Sequence, residues 1–96
     1  MVTFKDLKFE PRQLGGVGTT HTFDNGNTIS IQASKGSYST PREDLSSPDE
    51  YSSFEVAVWD KDGEWVTRDF MFDYHDDVLG WKSRDEINDL IQLINK

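Results

Sequence analysis

The 96-residue sequence contains no cysteine. Disulfide staples and thiolate zinc sites are therefore excluded, and the chain suits a reducing compartment. It has only three prolines, so most chain reversals fall to glycine, asparagine and aspartate. No stretch approaches the ~20 apolar residues that a membrane helix needs. The N-terminus has no basic region followed by an apolar run, so no secretory signal is expected. Positive charge is also in short supply: ten Lys/Arg stand against eighteen Asp/Glu, a formal net charge of −8. A surface of that sign disfavours direct nucleic-acid binding, because phosphates demand cations. Aromatics, by contrast, are plentiful at 12% of residues, which indicates a packed globule rather than a disordered chain. The length suits one domain over residues 1–96 with a modest core.

The charge is unevenly spread. Residues 1–42 hold five Lys/Arg and three Asp/Glu, a net of +2, whereas residues 43–96 hold five and fifteen, a net of −10. An acidic half either solvates itself or faces a basic partner.

Two hairpins are expected, each set by its turn. In His21–Ile31 the Asn25-Gly26 pair marks a tight reversal. A three-residue loop closed by a glycine bulge pairs Phe23 with Asn27 and His21 with Ile29, and puts Phe23, Ile29 and Ile31 on one face. A two-residue loop would send Phe23 to the other side. The second hairpin runs from Phe54 to Phe72 through Asp60-Lys61-Asp62-Gly63-Glu64. The same loop pairs Val58 with Val66, Val56 with Arg68 and Phe54 with Phe70. Trp59 then faces Trp65 on the side away from the core. That pair reads equally as a cross-strand contact that stabilises the hairpin and as an anchor for a partner.

Between the hairpins, residues 34–53 contain seven serines, two prolines and several acids, the composition of a long, mobile loop. Ser83-Arg84-Asp85-Glu86 is a capping box opening a helix. Ile87, Leu90, Ile91 and Ile94 form its apolar face, with Leu93 widening it. Val78, Leu79 and Trp81 are expected to pack under its first turn. The fold class is thus α+β: a four- or five-stranded antiparallel sheet with one C-terminal amphipathic helix on one face. The first twelve residues suit a strand and a helical turn equally.

With this order in place, LKFEPRQLGGVGTTHTFDNGNTISIQA (7–33), FEVAVW (54–59) and YHDDVLGWKSRDEINDLIQLI (74–94) resemble a family of small tailed-bacteriophage proteins. Members combine an F-x-P…GG segment, an F-x-N-G hairpin, a D-D-V-x-G turn and a C-terminal helix. Ser37-Tyr38-Ser39 departs from the family's Y-G loop, and the 39–53 insertion is longer. The resemblance implies a phage origin and a fold, and it offers no catalytic residues to carry over; the expected location is the host cytoplasm.

No reaction is legible. His21 has no Ser or Asp arranged with it, and Gly15-Gly16-Val17-Gly18 lacks the Lys-Ser/Thr of a P-loop. His75 with Asp77 and its neighbours has metal-ligand residue types, yet five adjacent residues cannot all converge on one ion. A turn rich in Asp is the simpler reading. No catalytic residue, metal or cofactor is therefore assigned. Asp60, Asp62, Glu64, Asp85 and Glu86 serve turns or the helix start. The acids left for recognition are Glu43, Asp44, Asp49 and Glu50 in the loop and Asp73, Asp76 and Asp77 before the helix, joined by Trp59 and Trp65. The expected role is a non-enzymatic accessory protein that binds and inhibits or modulates a basic-surfaced host, defence or phage protein. One that itself handles nucleic acid is the concrete case, with neither nucleic acid nor membrane bound directly. The alternative is a phage structural or assembly module, homo-oligomeric through the Trp face. A metal-dependent enzyme is the remote third.

Overall fold

The computed structural model describes residues 2–13, 15–64, 74–75 and 78–95. Its regular elements are β1 (Glu10–Pro11), β2 (Val17–Thr22), β3 (Thr28–Ala33), β4 (Phe54–Trp59), β5 (Tyr74–His75), β6 (Val78–Lys82) and α1 (Arg84–Ile94), with short 3-10 turns at Phe4–Asp6 and Pro48–Glu50. The expected α+β architecture is present. An antiparallel sheet is carried by the four longer strands, extended at its edges by β1 and β5, in the order β1-β2-β3-β4-β6-β5.

The β2–β3 register sets His21 opposite Ile29 and Thr22 opposite Thr28. Phe23 N donates to the Asn27 carbonyl at 2.8 Å, and Gly26 sits at φ 92, a backbone region that an L side chain resists. This register buries Phe23, Ile29 and Ile31 together. At the end of β4 the Asp60 turn is closed by Asp60 N to Glu64 O (2.8 Å), with Gly63 at φ 83. The partners expected beyond it, Val66, Arg68 and Phe70, lie outside the described residues, as does Trp65. One edge of β4 is held by β3, and at Phe54 and Val56 the other is held by β6, so Lys82 and Leu79 stand in the places expected of Phe70 and Arg68 as partners.

The helix forms for the local reasons its sequence states. Ser83 Oγ accepts Glu86 N at 3.2 Å, and Glu86 Oε1 accepts Ser83 N at 3.0 Å. Two N–H groups that the first turn leaves orphaned are thereby satisfied. Ile87, Leu90, Ile91 and Ile94 are buried and share one core cluster with Val17, Ile29, Ile31, Val56, Val58 and Leu79. Leu93, expected to widen that face, is 43% exposed instead, because it stands at the flank of the stripe. The other helix end is capped by the first hairpin: Asn25 and Asn27 side-chain amides donate to the Ile94 carbonyl at 2.7 and 3.2 Å. At the N-terminal segment Phe4 N donates to Asn88 Oδ1 at 2.7 Å, and the Phe4 ring packs on Phe9 and Phe54.

The serine- and acid-rich segment 34–53 is tied down more than its composition suggests. Tyr51 is only 2% exposed; its hydroxyl accepts Leu45 N at 2.8 Å and donates to the Glu43 carbonyl. Thr40 and Ser53 form an isolated bridge, and Arg84 donates from its guanidinium to the Pro48 carbonyl at 2.7 Å. Arg84 in turn lies over the rings of Phe4 and Phe54.

Candidate functional site

The pairing of β4 with β6 is interrupted. Phe54 is opposite Lys82 and Val56 opposite Leu79, so Glu55 alone is opposed by both Gly80 and Trp81. That extra residue is a bulge, which breaks the alternation of faces along the strand. Without it, Leu79 and Trp81 would point the same way. With it, Leu79 and Lys82 are buried, and Trp81 is carried outward to 45% exposure. The expectation that Trp81 packs under the helix is corrected by this one-residue insertion. Leu79 is buried as expected.

Trp81 adopts φ 55, alone among the described non-glycine residues in having a positive value. For a bulky L residue that region costs roughly 1–2 kcal/mol, so neighbouring contacts must hold it. Trp81 N donates to the Tyr38 carbonyl at 2.9 Å, and the two rings stand 5.0 Å apart at 30°. Gly80 is what lets Tyr38 approach: a Cβ there would lie 3.0 Å from Tyr38 Cβ. Tyr38 is set from the sheet side, its N–H donating to Glu55 Oε1 at 3.2 Å while Glu55 also accepts from Gln32 Nε2. The Arg42 guanidinium lies over the Tyr38 ring, 5.6 Å from its centroid. Trp81, Tyr38 and Arg42 thus form a supported surface cluster. Sequence reading missed it, because it rests on the bulge and on a loop that folds back over β6. A Gly-Trp pair inside an otherwise strand-like segment was the available signal.

The predicted recognition residues divide. Glu43, Asp44, Asp49 and Glu50 are all exposed. Glu50 Oε2, however, accepts Ser46 N and Ser47 N, both at 3.1 Å, and so caps the Pro48–Glu50 turn. Asp44 Oδ1 accepts Lys35 N at 2.8 Å. These two acids hold local structure, contrary to the expectation that none of the loop acids does. Among the described residues, the carboxylates of Glu43 and Asp49 accept no hydrogen bond and join no ion pair. Glu43 follows Arg42 directly in the chain, and its carbonyl is held by the Tyr51 hydroxyl. Trp59 is half-buried at the end of β4, opposite Thr28. Trp65, Asp73, Asp76 and Asp77 lie outside the described residues, and with them the Trp59–Trp65 pair and the expected meeting of two acidic segments.

Of the two histidines, His21 packs edge-on to Phe23 at 4.8 Å, and the backbone of His75 pairs with Val78. Among the described residues no group of three His, Cys, Asp or Glu side chains is placed to hold a metal, and no helix is long and apolar enough to cross a membrane. Comparison with protein-family models, with curated proteins and with solved structures found no match to this chain.

Proposed function

We propose that this chain is a small bacteriophage accessory protein that works by binding another protein, with Trp81, Tyr38 and Arg42 as the contact centre and the exposed acids Glu43 and Asp49 as further charged contacts. The observation that carries the reading is Trp81 itself: a large indole, 45% exposed, held on a strained backbone. Strain of this kind persists only where surrounding contacts over-determine it, and it concentrates at functional positions. Trp, Tyr and Arg are the residue types that dominate interface energies. The outward carboxylates and the net charge of −8 favour a partner with a basic surface, such as a host or defence protein that grips nucleic acid, which this protein would inhibit or modulate. The phage setting is supported by the resemblance of residues 7–33, 54–59 and 74–94 to the family described above.

Capture from host lysate on immobilised wild type, Trp81→Ala and the Glu43→Gln/Asp49→Asn double variant tests the reading. Trp81→Ala is expected to lose the captured protein, and the double variant to release it at lower salt. Undiminished capture by Trp81→Ala would remove the contact centre from the account. Sedimentation of the same variants addresses the competing role in assembly: a concentration-dependent dimer abolished by Trp81→Ala assigns this surface to a second copy of the chain.

A further inference from the structure

Three of the five cations among the first 42 residues lie together. Lys8, Arg12 and Lys35 line one open groove of about 1050 Å³, between the β1 edge and the segment that follows β3. Its floor is the sheet face that carries Gly18, Thr20 and Gln32, opposite the face that buries Val17 and Ile31. Two carboxylates, Glu10 and Asp44, share the lining, so the groove carries one excess positive charge on a protein of net −8. Among the described residues no ion pair engages Lys8, Arg12 or Lys35.

The backbone of Arg12 is held in a turn. Arg12 N donates to the Gly16 carbonyl at 2.9 Å, and the Arg12 carbonyl accepts Gly15 N at 3.1 Å. That tight turn needs the positive φ of Gly15 (107) and Gly16 (76). The side chain then lies flat on β2 where Gly18 leaves room: a Cβ at Gly18 would meet Arg12 Nη1 at 2.7 Å and Cδ at 3.1 Å. Lys35 is fixed at its backbone by Asp44. A guanidinium offers a planar fork to phosphate oxygens, and lysines beside it act as point charges.

We infer that this groove binds a compact anion bearing two or more phosphate groups. Compactness follows from the charge map. The molecule extends 32 × 26 × 24 Å, and beyond the groove its net charge is strongly negative. A short ligand can sit against the three cations, whereas a nucleic-acid strand would extend onto a protein whose charge outside the groove is strongly negative. The inference is independent of the Trp81 surface.

Titration with tripolyphosphate at low ionic strength, followed by amide chemical shifts and calorimetry, tests it. Saturable shifts are expected at Arg12, Gly15, Gly18 and Lys35, with a Kd below about 1 mM. Arg12→Gln removes the fork and is expected to weaken binding about tenfold. Gly18→Ala keeps every charge and meets only the end of a flexible side chain, so it unseats Arg12 without unfolding the sheet; a similar loss is expected. Lys61→Gln, in the exposed Asp60 turn, removes one charge outside the groove and leaves affinity unchanged. Absence of saturation, equal weakening by Lys61→Gln and Arg12→Gln, or wild-type affinity in Gly18→Ala would each overturn the inference. So would tighter binding of a single-stranded oligonucleotide than of tripolyphosphate.

Discussion

Replacing Trp81 with glycine and with alanine separates the backbone of this residue from its side chain. Both variants delete the indole and its contact with Tyr38, a ring pair of the kind worth about 0.5–1.5 kcal/mol. They differ in what remains. Alanine keeps a Cβ at φ 55 and with it a penalty of roughly 1–2 kcal/mol. Glycine has no such penalty but gives the unfolded chain extra freedom, which costs roughly 0.5–1 kcal/mol relative to alanine. The balance leaves Trp81→Gly more stable than Trp81→Ala by about 0.5–1 kcal/mol, the reverse of the order in an unstrained strand. For a domain of this size that is a difference of about 2–8 °C in Tm. Urea unfolding of the two variants with a common m value measures it directly. An alanine variant as stable as the glycine variant, or more so, would refute the strained bulge and with it the reason Trp81 points outward.

Tyr51→Phe is expected to cost about 1–2 kcal/mol, because it strands the Leu45 N–H and the Glu43 carbonyl together; hydrogen exchange should rise across residues 43–50 and not in α1. The Glu86 carboxyl is held below the ordinary glutamate range, first by the Ser83 N–H and further by Lys82, against the opposing effect of partial burial. A lowered folded-state pKa gives stability that is present above about 4.5 and is lost as pH falls through the folded value. Glu86→Gln keeps the cap acceptor but does not titrate, so its deficit of about 0.5 kcal/mol near neutrality should shrink as the pH falls below the ordinary glutamate range; the carboxylate is half exposed, and the effect is correspondingly small. A deficit that grows on acidification would reverse the assignment.

What was legible in the sequence is what is decided locally. The Ser83–Glu86 cap and the spacing of Ile87, Leu90, Ile91 and Ile94 need no knowledge of the rest of the chain, and they specify the helix. Gly26 and Gly63 declare tight turns through their own backbone demands. The place of β6 beside β4 is a long-range outcome with no short motif behind it. One extra residue in that strand was enough to turn Trp81 outward and Lys82, 4% exposed, inward. The anchoring role of Tyr51 was hidden because a lone aromatic among serines and acids reads as loop. Asp44 and Glu50 looked like spare charge because their partners are backbone N–H groups, which a sequence does not display. The seat of Arg12 on Gly18 likewise depends on a turn bringing the two together.

The central claim, recognition of a protein partner through Trp81, is tested most directly by the affinity of the captured partner for wild type and for Trp81→Ala, with both shown to be folded by their unfolding midpoints. An interface hot spot of about 2 kcal/mol predicts a Kd at least about 30-fold weaker for the variant. A Kd within about twofold of wild type would contradict it.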